Sequence, residues 1–328
     1  MSVEPLDAKT VEALVRDAGA APSMHNAQPW TFRFRFHSGG GTFELRSAPE
    51  RAIPHSDPDN RALHIGCGAA LFNLRVASVH IGREPVTTLL PDRADPDLLA
   101  TVRLEAPLGP VHDLASLYPA LSRRHTSRQP FTDQDIPKDL QGDLCEAARA
   151  EGAQLTFPAP WHVQELLDLV GDAEGRDAHD PGALEDLKRW TRTGTDTAAD
   201  GVPEYAFGPR KERGRAPVRD FAGREAVADR GAATFEDAPC LALLGTVHDS
   251  PADWLRAGQA LERVLLVATL GGLATALTSQ ALERSDLRWI ARDPTTATGF
   301  VQMVLRLGYG PAGLETPRRA VREVLDLE

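Results

Sequence analysis

The sequence predicts an α+β fold made of two tandem copies of one unit, an intrachain pseudo-dimer with mainly antiparallel sheets wrapped by helices. Three observations carry this. Short stretches of period two alternate with stretches of helical period along the 328 residues. An internal repeat is visible: setting Gly68 against Gly258, an offset of 258 − 68 = 190, brings Ala70 onto Ala260, Leu71 onto Leu261 and Gly82 onto Gly272. Finally, the helix–turn–strand order of Thr10–Phe36 recurs in Lys138–Phe157. The halves divide at residues 1–115 and 116–328.

The elements follow in order. Leu6, Val11, Leu14 and Val15 mark an amphipathic helix over 6–18. Trp30, Phe32, Phe34 and Phe36 alternate with Thr31, Arg33 and Arg35, which is a half-buried strand. Gly39-Gly40-Gly41 turns the chain into a returning strand at Phe43 and Leu45. Leu63–Ile81 reads as a long helix, with strands near Val86–Leu90 and Thr101–Leu104. Residues 107–120 read as the connector between halves. Lys138–Ala150 is a helix and Gln154–Phe157 a strand. Residues 171–235 are rich in Asp, Arg, Gly and Pro with thin apolar periodicity, and read as an insertion of loop and short helices, the region expected to move. Cys240–Val247 is a buried strand, Trp254–Leu282 a long helix and Val301–Leu307 a strand.

Composition bounds the function. Hydrophobic residues are 42% and charged residues 25% of the chain, an ordinary globular balance. A net charge of −11 disfavours nucleic acid or an anionic membrane as partner. Cys67, Cys145 and Cys240 are far apart and odd in number, which fits buried thiols better than a disulfide framework or zinc. The longest apolar run, Val264–Leu277, is shorter than the ~20 residues of a membrane span and reads as buried helix. No export signal is visible at the N-terminus, so a cytoplasmic location is expected.

Histidines are scattered. His112-Asp113, His179-Asp180 and His248-Asp249 lack further ligands at helical spacing, so no metal site is expected. No Gly-x-Gly-x-x-Gly opens a βα unit, so a dinucleotide would be a transient substrate rather than a resident cofactor.

Two stretches carry chemistry. Ala21–Trp30 holds Ser23 and Asn26 between Pro22 and Pro29, a stiff run of hydrogen-bonding groups suited to the edge of a planar heteroaromatic. Ser122–Phe131 carries Arg124, Thr126 and Arg128, and the tail carries Arg318-Arg319, all able to bind an anion. Taken singly, the first also reads as a helix end and turn, the second as a solvated basic turn, and the last as helix-end charge.

Taken together, Pro22-Ser23-Met24-His25-Asn26-Ala27-Gln28-Pro29-Trp30 and Arg124-His125-Thr126-Ser127-Arg128 resemble the nitroreductase family of flavoproteins. The loop lies in the first half and the arginine motif in the second, an order similar to the Acg members, which fuse two copies of the fold. The resemblance spans residues 10–325. It implies FMN as cofactor, with Arg124, Arg128, Arg318 and Arg319 at the phosphate and Thr126 at the ribityl chain or pyrimidine edge. Pro22, Ser23, Met24 and Asn26 would face the flavin ring from the other half, with Ser279 and Gln280 near its N5 and O4.

The missing pieces set the stoichiometry. Val3–Val15 contains no Arg, and Ala153-Gln154-Leu155-Thr156 stands where Pro-Ser-x-x-Asn would fall in the second half. Both losses belong to the same pocket, so one site per chain is expected, completed within a monomer. The implied activity is an FMN-dependent oxidoreductase transferring hydride from NAD(P)H to an electron-poor acceptor such as a nitroaromatic or quinone. The alternative is an FMN-binding or storage protein with little turnover, residues 171–235 forming a lid.

Overall fold

The computed structural model describes residues 6–38, 40–106, 113–194, 196–223, 230–296 and 299–328. The first half runs α1 (Ala8–Gly19), β1 (Trp30–His37), β2 (Gly40–Ser47), α2 (Arg61–His80), β3 (Glu84–Leu89) and β4 (Leu98–Glu105); the short α3 (Tyr118–Leu121) opens the second half. The second runs α4 (Lys138–Ala150), β5 (Gln154–Thr156), α5 (Pro160–Asp177), α6 (Pro181–Arg189), β6 (Thr191–Arg192), β7 (Val202–Pro203), β8 (Arg210–Arg213) and β9 (Ala232–Thr234). It continues with β10 (Cys240–Thr246), α7 (Pro251–Leu270), β11 (Ala274–Thr278), α8 (Ser285–Ile290), β12 (Phe300–Gly308), α9 (Val321–Val324) and β13 (Leu325–Leu327).

Two sheets result. One has the order β13-β1-β2-β4-β3 and the other β11-β12-β10-β5; every pairing in them is antiparallel except β13 with β1. Read from β1 and from β5, the two orders correspond: β1-β2-β4-β3 against β5-β10-β12-β11. Phe32, Phe34, Phe43 and Leu45 point into the first core beneath α1 and α2. Leu155, Ala242, Leu244 and Leu305 do the same in the second beneath α4 and α7.

The halves meet where α2 crosses α7. A Cβ added to Gly68 would lie 2.3 Å from the Leu255 carbonyl oxygen, and one added to Gly258 would lie 2.1 Å from that of Ile65. The two contacts are related by the 190-residue offset, as expected when a pseudo-two-fold axis passes between the glycines. Only hydrogen lets the backbones approach this closely. The side chains follow the same rule: Leu255 of α7 packs in the first core and Ile65 of α2 in the second. α2 is long and apolar enough to cross a membrane by composition, with mean hydropathy 1.3, but 83% of that stretch is buried inside the protein.

Several expectations need correction. Trp254–Leu282 is not one helix, nor is Val264–Leu277 wholly helical. α7 ends at Leu270, Gly272 turns the chain at φ +76°, and β11 follows. The apolar run continued because helix end and strand are both buried, and periodicity over so few residues does not separate them. Gly82, its partner in the repeat, ends α2 at φ +75° in the same way. The insertion is wider and more structured than residues 171–235: it spans 157–239 between β5 and β10, and includes all of α5. Its Val202, Ala206, Phe207 and Phe221 form a small buried cluster of their own. Residues 107–112 of the expected connector and Gly39 of the expected turn lie outside the described residues, as does His112.

Candidate functional site

The loop between α1 and β1 is built around left-handed backbone at His25 (φ +51°), Asn26 (φ +55°) and Gln28 (φ +53°). Left-handed geometry is unfavourable for side-chain-bearing residues, so it persists only where the surroundings fix it. They do so at every turn. The Gln28 amide donates to Ser23 Oγ at 2.9 Å, its side-chain Nε2 donates to the Ala199 carbonyl at 2.8 Å, and its Oε1 accepts from the Arg319 amide at 2.8 Å. Asn26 Nδ2 donates to the Gly201 carbonyl at 2.9 Å and Asn26 Oδ1 accepts from Arg318 Nη1 at 3.0 Å. The loop is thus clamped between the insertion and the tail.

The arginine motif faces it from the second half. Thr126 bridges Thr275 at the edge of β11, and the Ser127 amide donates to the Thr275 carbonyl at 2.8 Å. Arg124 is buried; its Nη2 donates to the Ala20 carbonyl at 3.0 Å, and its Nε lies 3.4 Å from the buried Glu262 carboxylate. Among the described residues, Arg124 Nε and Nη1 have no hydrogen-bond partner. Arg318 stands beside it and donates to the carbonyls of Gly19, Ala20 and Ala21 at the end of α1. Burial, reinforced by Arg124, pulls the Arg318 pKa down to about 10. Two guanidiniums share one buried carboxylate there, which leaves an excess of positive charge.

Between loop and motif lies a cleft of about 1260 Å³, its open mouth included, lined from both halves. Pro22, Ser23, Met24 and Asn26 line it from the first half, and Arg124, Thr126, Arg128, Ser279 and Arg318 from the second. Arg128 donates one hydrogen bond, to the Ala206 carbonyl at 3.0 Å, and lies 4.9 Å from the centre of the Phe221 ring. Burial lowers its pKa to about 10.

Two expected residues are elsewhere. Gln280 turns away into a second cavity beneath the insertion, where its Nε2 donates to Glu174 at 3.2 Å. The tight turn after Ser279 sends successive side chains to opposite sides. Arg319 does not line the cleft; it donates to the Gln28, Trp30 and Glu323 carbonyls and fastens the tail to β1. Asn26 lines the cleft, yet its amide is engaged by Gly201, Pro317 and Arg318 and does not present free donors to a ring edge.

Besides Phe221, which lies in the expected lid, the cleft holds residues that sequence reasoning did not single out. His25 is buried, and neither ring nitrogen has a hydrogen-bond partner among the described residues. Desolvation, then Arg219 and Arg128, press its pKa well below the usual value, so the ring is neutral. Its ring meets Phe221 edge-on at 5.6 Å. Phe221, Arg219, Val218 and Pro217 come from the insertion and form one wall. Glu283 is paired to Arg219 and accepts from the Ser279 hydroxyl at 2.7 Å. Glu283 follows Ser279 by four residues, a spacing that could have signalled it; the insertion residues carried no comparable pattern.

Residues 121–309 match the family model described as "Nitroreductase family". The Mycobacterium tuberculosis H37Rv protein named "Putative NAD(P)H nitroreductase Rv3131" is 32% identical over 326 residues, 98% of this chain and 92% of that protein. The same organism's "Putative NAD(P)H nitroreductase acg" is 27% identical over 319 residues, 96% of this chain and 94% of that one. Among solved structures, the FMN and NADPH-dependent nitroreductase NfnB from Sphigopyxis sp. strain HMH is 20% identical with a TM-score of 0.42, over 65% of this chain and 98% of that one. With the family model covering more than half the chain and a relative matching nearly all of it, the protein belongs to the nitroreductase family.

Proposed function

We propose that the chain is an FMN-dependent oxidoreductase that passes hydride from NAD(P)H to an electron-poor acceptor, a nitroaromatic or a quinone. The observation that carries this reading is the two buried Arg124 nitrogens that make no hydrogen bond among the described residues, beside Arg318, in a cleft lined from both halves. Two buried guanidiniums facing the one Glu262 carboxylate leave positive charge uncompensated, and a phosphate dianion would relieve it. The site fits FMN at that end. Arg124 and Arg318 would hold the phosphate, Thr126 the ribityl chain, and Arg128 with Ser23 and Met24 the ring.

A bound flavin supplies the reversible two-electron chemistry; the protein supplies position and dryness. Phe221 and Val218 wall off solvent, and the neutral His25 adds no positive charge beside Arg128. We further propose that residues 1–115 and 116–328 are two copies of the fold and that the chain is complete as a monomer.

A specific observation favours a second reading, a flavin-binding protein with little turnover. Part of the insertion walls the cleft, held by Arg219 donating to Glu283 Oε1 and by the Tyr205 hydroxyl donating to the Glu315 carbonyl at 3.0 Å. Anaerobic titration with NAD(P)H decides between the two. A yellow protein that bleaches is the oxidoreductase, one that stays yellow is the binder, and a colourless one that refuses added FMN ends both readings. Flavin measured against protein after reconstitution is expected to approach one per chain; a ratio near two would refute the single site.

A further inference from the structure

Reduction of a quinone by hydride requires a proton as well, and the cleft contains few groups able to give one. Arginines line it at both ends, and they hold their protons. His25 also lines it, but its ring is neutral and its ring nitrogens are buried, so it has no second proton to give. His125 stands at the phosphate end among Arg124 and Arg318, which with burial disfavour its protonation. Among the described residues, Glu283 is the single carboxyl group lining the cleft.

The Glu283 side chain is 5% exposed. Its Oε1 is anchored twice, by the Ser279 hydroxyl at 2.7 Å and by Arg219. Its Oε2 makes no hydrogen bond among the described residues. The charges facing it are Arg219 from the insertion, Asp177 from α5 and Arg61 from α2. Burial is the strongest influence and favours the neutral acid, with Asp177 acting in the same direction; Arg219 and the Ser279 hydrogen bond oppose it.

Resting on the oxidoreductase reading, we propose that Glu283 is the proton donor to the acceptor, through Oε2, with Ser279 and Arg219 as positioning residues that fix the carboxyl by Oε1. Both electrons arrive with the hydride that originates on NAD(P)H. The Glu283 O–H bond breaks as a new O–H bond forms on the quinone oxygen, giving the hydroquinone. The carboxylate left behind is reprotonated by water from the cleft mouth.

The test uses the flavin-loaded protein and two acceptors, a quinone, which takes up protons, and ferricyanide, which takes electrons alone. Glu283→Gln keeps the shape and the acceptor for Ser279 but has no proton to give. It is expected to slow quinone reduction about 100-fold more than it slows ferricyanide reduction, the ordinary worth of a positioned acid. Arg219→Met removes a charge that favours the carboxylate, so the loss of quinone turnover at high pH moves to higher pH. Infrared difference spectra give a readout independent of turnover and of flavin: a protonated-carboxyl band at neutral pH in the native protein, absent from Glu283→Gln. Equal losses with both acceptors, no loss with either, or no such band would overturn the proposal. Failure of the parent reading is a separate result, seen as a flavin that NAD(P)H does not bleach.

Discussion

The two halves share a framework and differ in their connections. In the first half α1 reaches β1 through residues 20–29; in the second, α4 reaches β5 through residues 151–153. The long connection carries Ser23, His25 and Asn26, and the short one has no room for their counterparts. The reverse holds one step later. β1 reaches β2 within residues 38–39, whereas β5 reaches β10 through 157–239, which carries Arg219 and Phe221 to the cleft. The difference teaches that packing preserves the helix crossing and strand order, while loop length decides where a site can form. Surface loops change length at small thermodynamic cost, and buried crossings do not change at all cheaply.

The framework side of the comparison is broken most severely at the crossing. Gly258→Val places carbon against the Ile65 carbonyl and the Gly68 backbone, neither of which can yield. It is expected to cost about 3 kcal/mol or more, read as a fall in the urea midpoint or as insoluble protein. Gly68→Ala is expected to behave alike, since its new carbon would meet the Leu255 carbonyl and the Gly258 backbone.

The site side is broken next, without the framework. Arg124→Ala removes the guanidinium whose nitrogens lack partners. FMN affinity is expected to fall by about 2–3 kcal/mol, on the order of 100-fold, as for hydrogen bonds to charged groups, while riboflavin binding changes little. Equal losses for both ligands, measured by fluorescence quenching, would place Arg124 away from the phosphate.

His25 sharpens the comparison through pH. The folded imidazole stays neutral where the unfolded one takes up a proton below about pH 6.5. Its share of stability is therefore constant above that pH and declines below it. His25→Asn, which tolerates the left-handed backbone, is expected to spare about 1.5 kcal/mol of the loss between pH 6.5 and 5; parallel pH profiles for variant and native protein would refute the neutral ring.

Arg319→Ala is the milder contrast to Arg124. It removes hydrogen bonds to the Gln28 and Trp30 carbonyls, so stability falls by about 1 kcal/mol, with FMN affinity expected within about threefold. Smallest of all is the effect of concentration. With loop and motif in one chain, flavin binding is expected to be independent of dilution, followed by light scattering on the loaded protein. Flavin lost as a dimer dissociates would show that Asn26 meets the Arg124 of another chain.

What was legible in the sequence follows the same division. The alternation of Trp30–Phe36 and the repeat through Gly68 and Gly258 were readable because buried regular elements impose a period. The join of α7 to β11 was not, since both are apolar and only Gly272 marks the break. Pro22, Ser23 and Arg124 were legible through resemblance, as a motif. Gln280 and Arg319 were misplaced because a motif names residue types and leaves open which side a turn sends each one. Phe221 and Arg219 come from a connection with no period at all, and only His25 and Glu283, which they meet, give them meaning. β13 was invisible for a plainer reason: three residues are too few to carry a pattern.

That short strand has a consequence for how the molecule is made. β13 pairs in parallel with β1, setting Leu325 beside Phe32 and Leu327 beside Phe34. During synthesis the first sheet is written early, but its β1 edge stays open while nearly the whole remaining chain is added. An open edge is a template for foreign strands. The tail that closes it also brings Thr316 and Arg318 to the cleft on its way. Protection of the nascent sheet and completion of the cleft are therefore one late event.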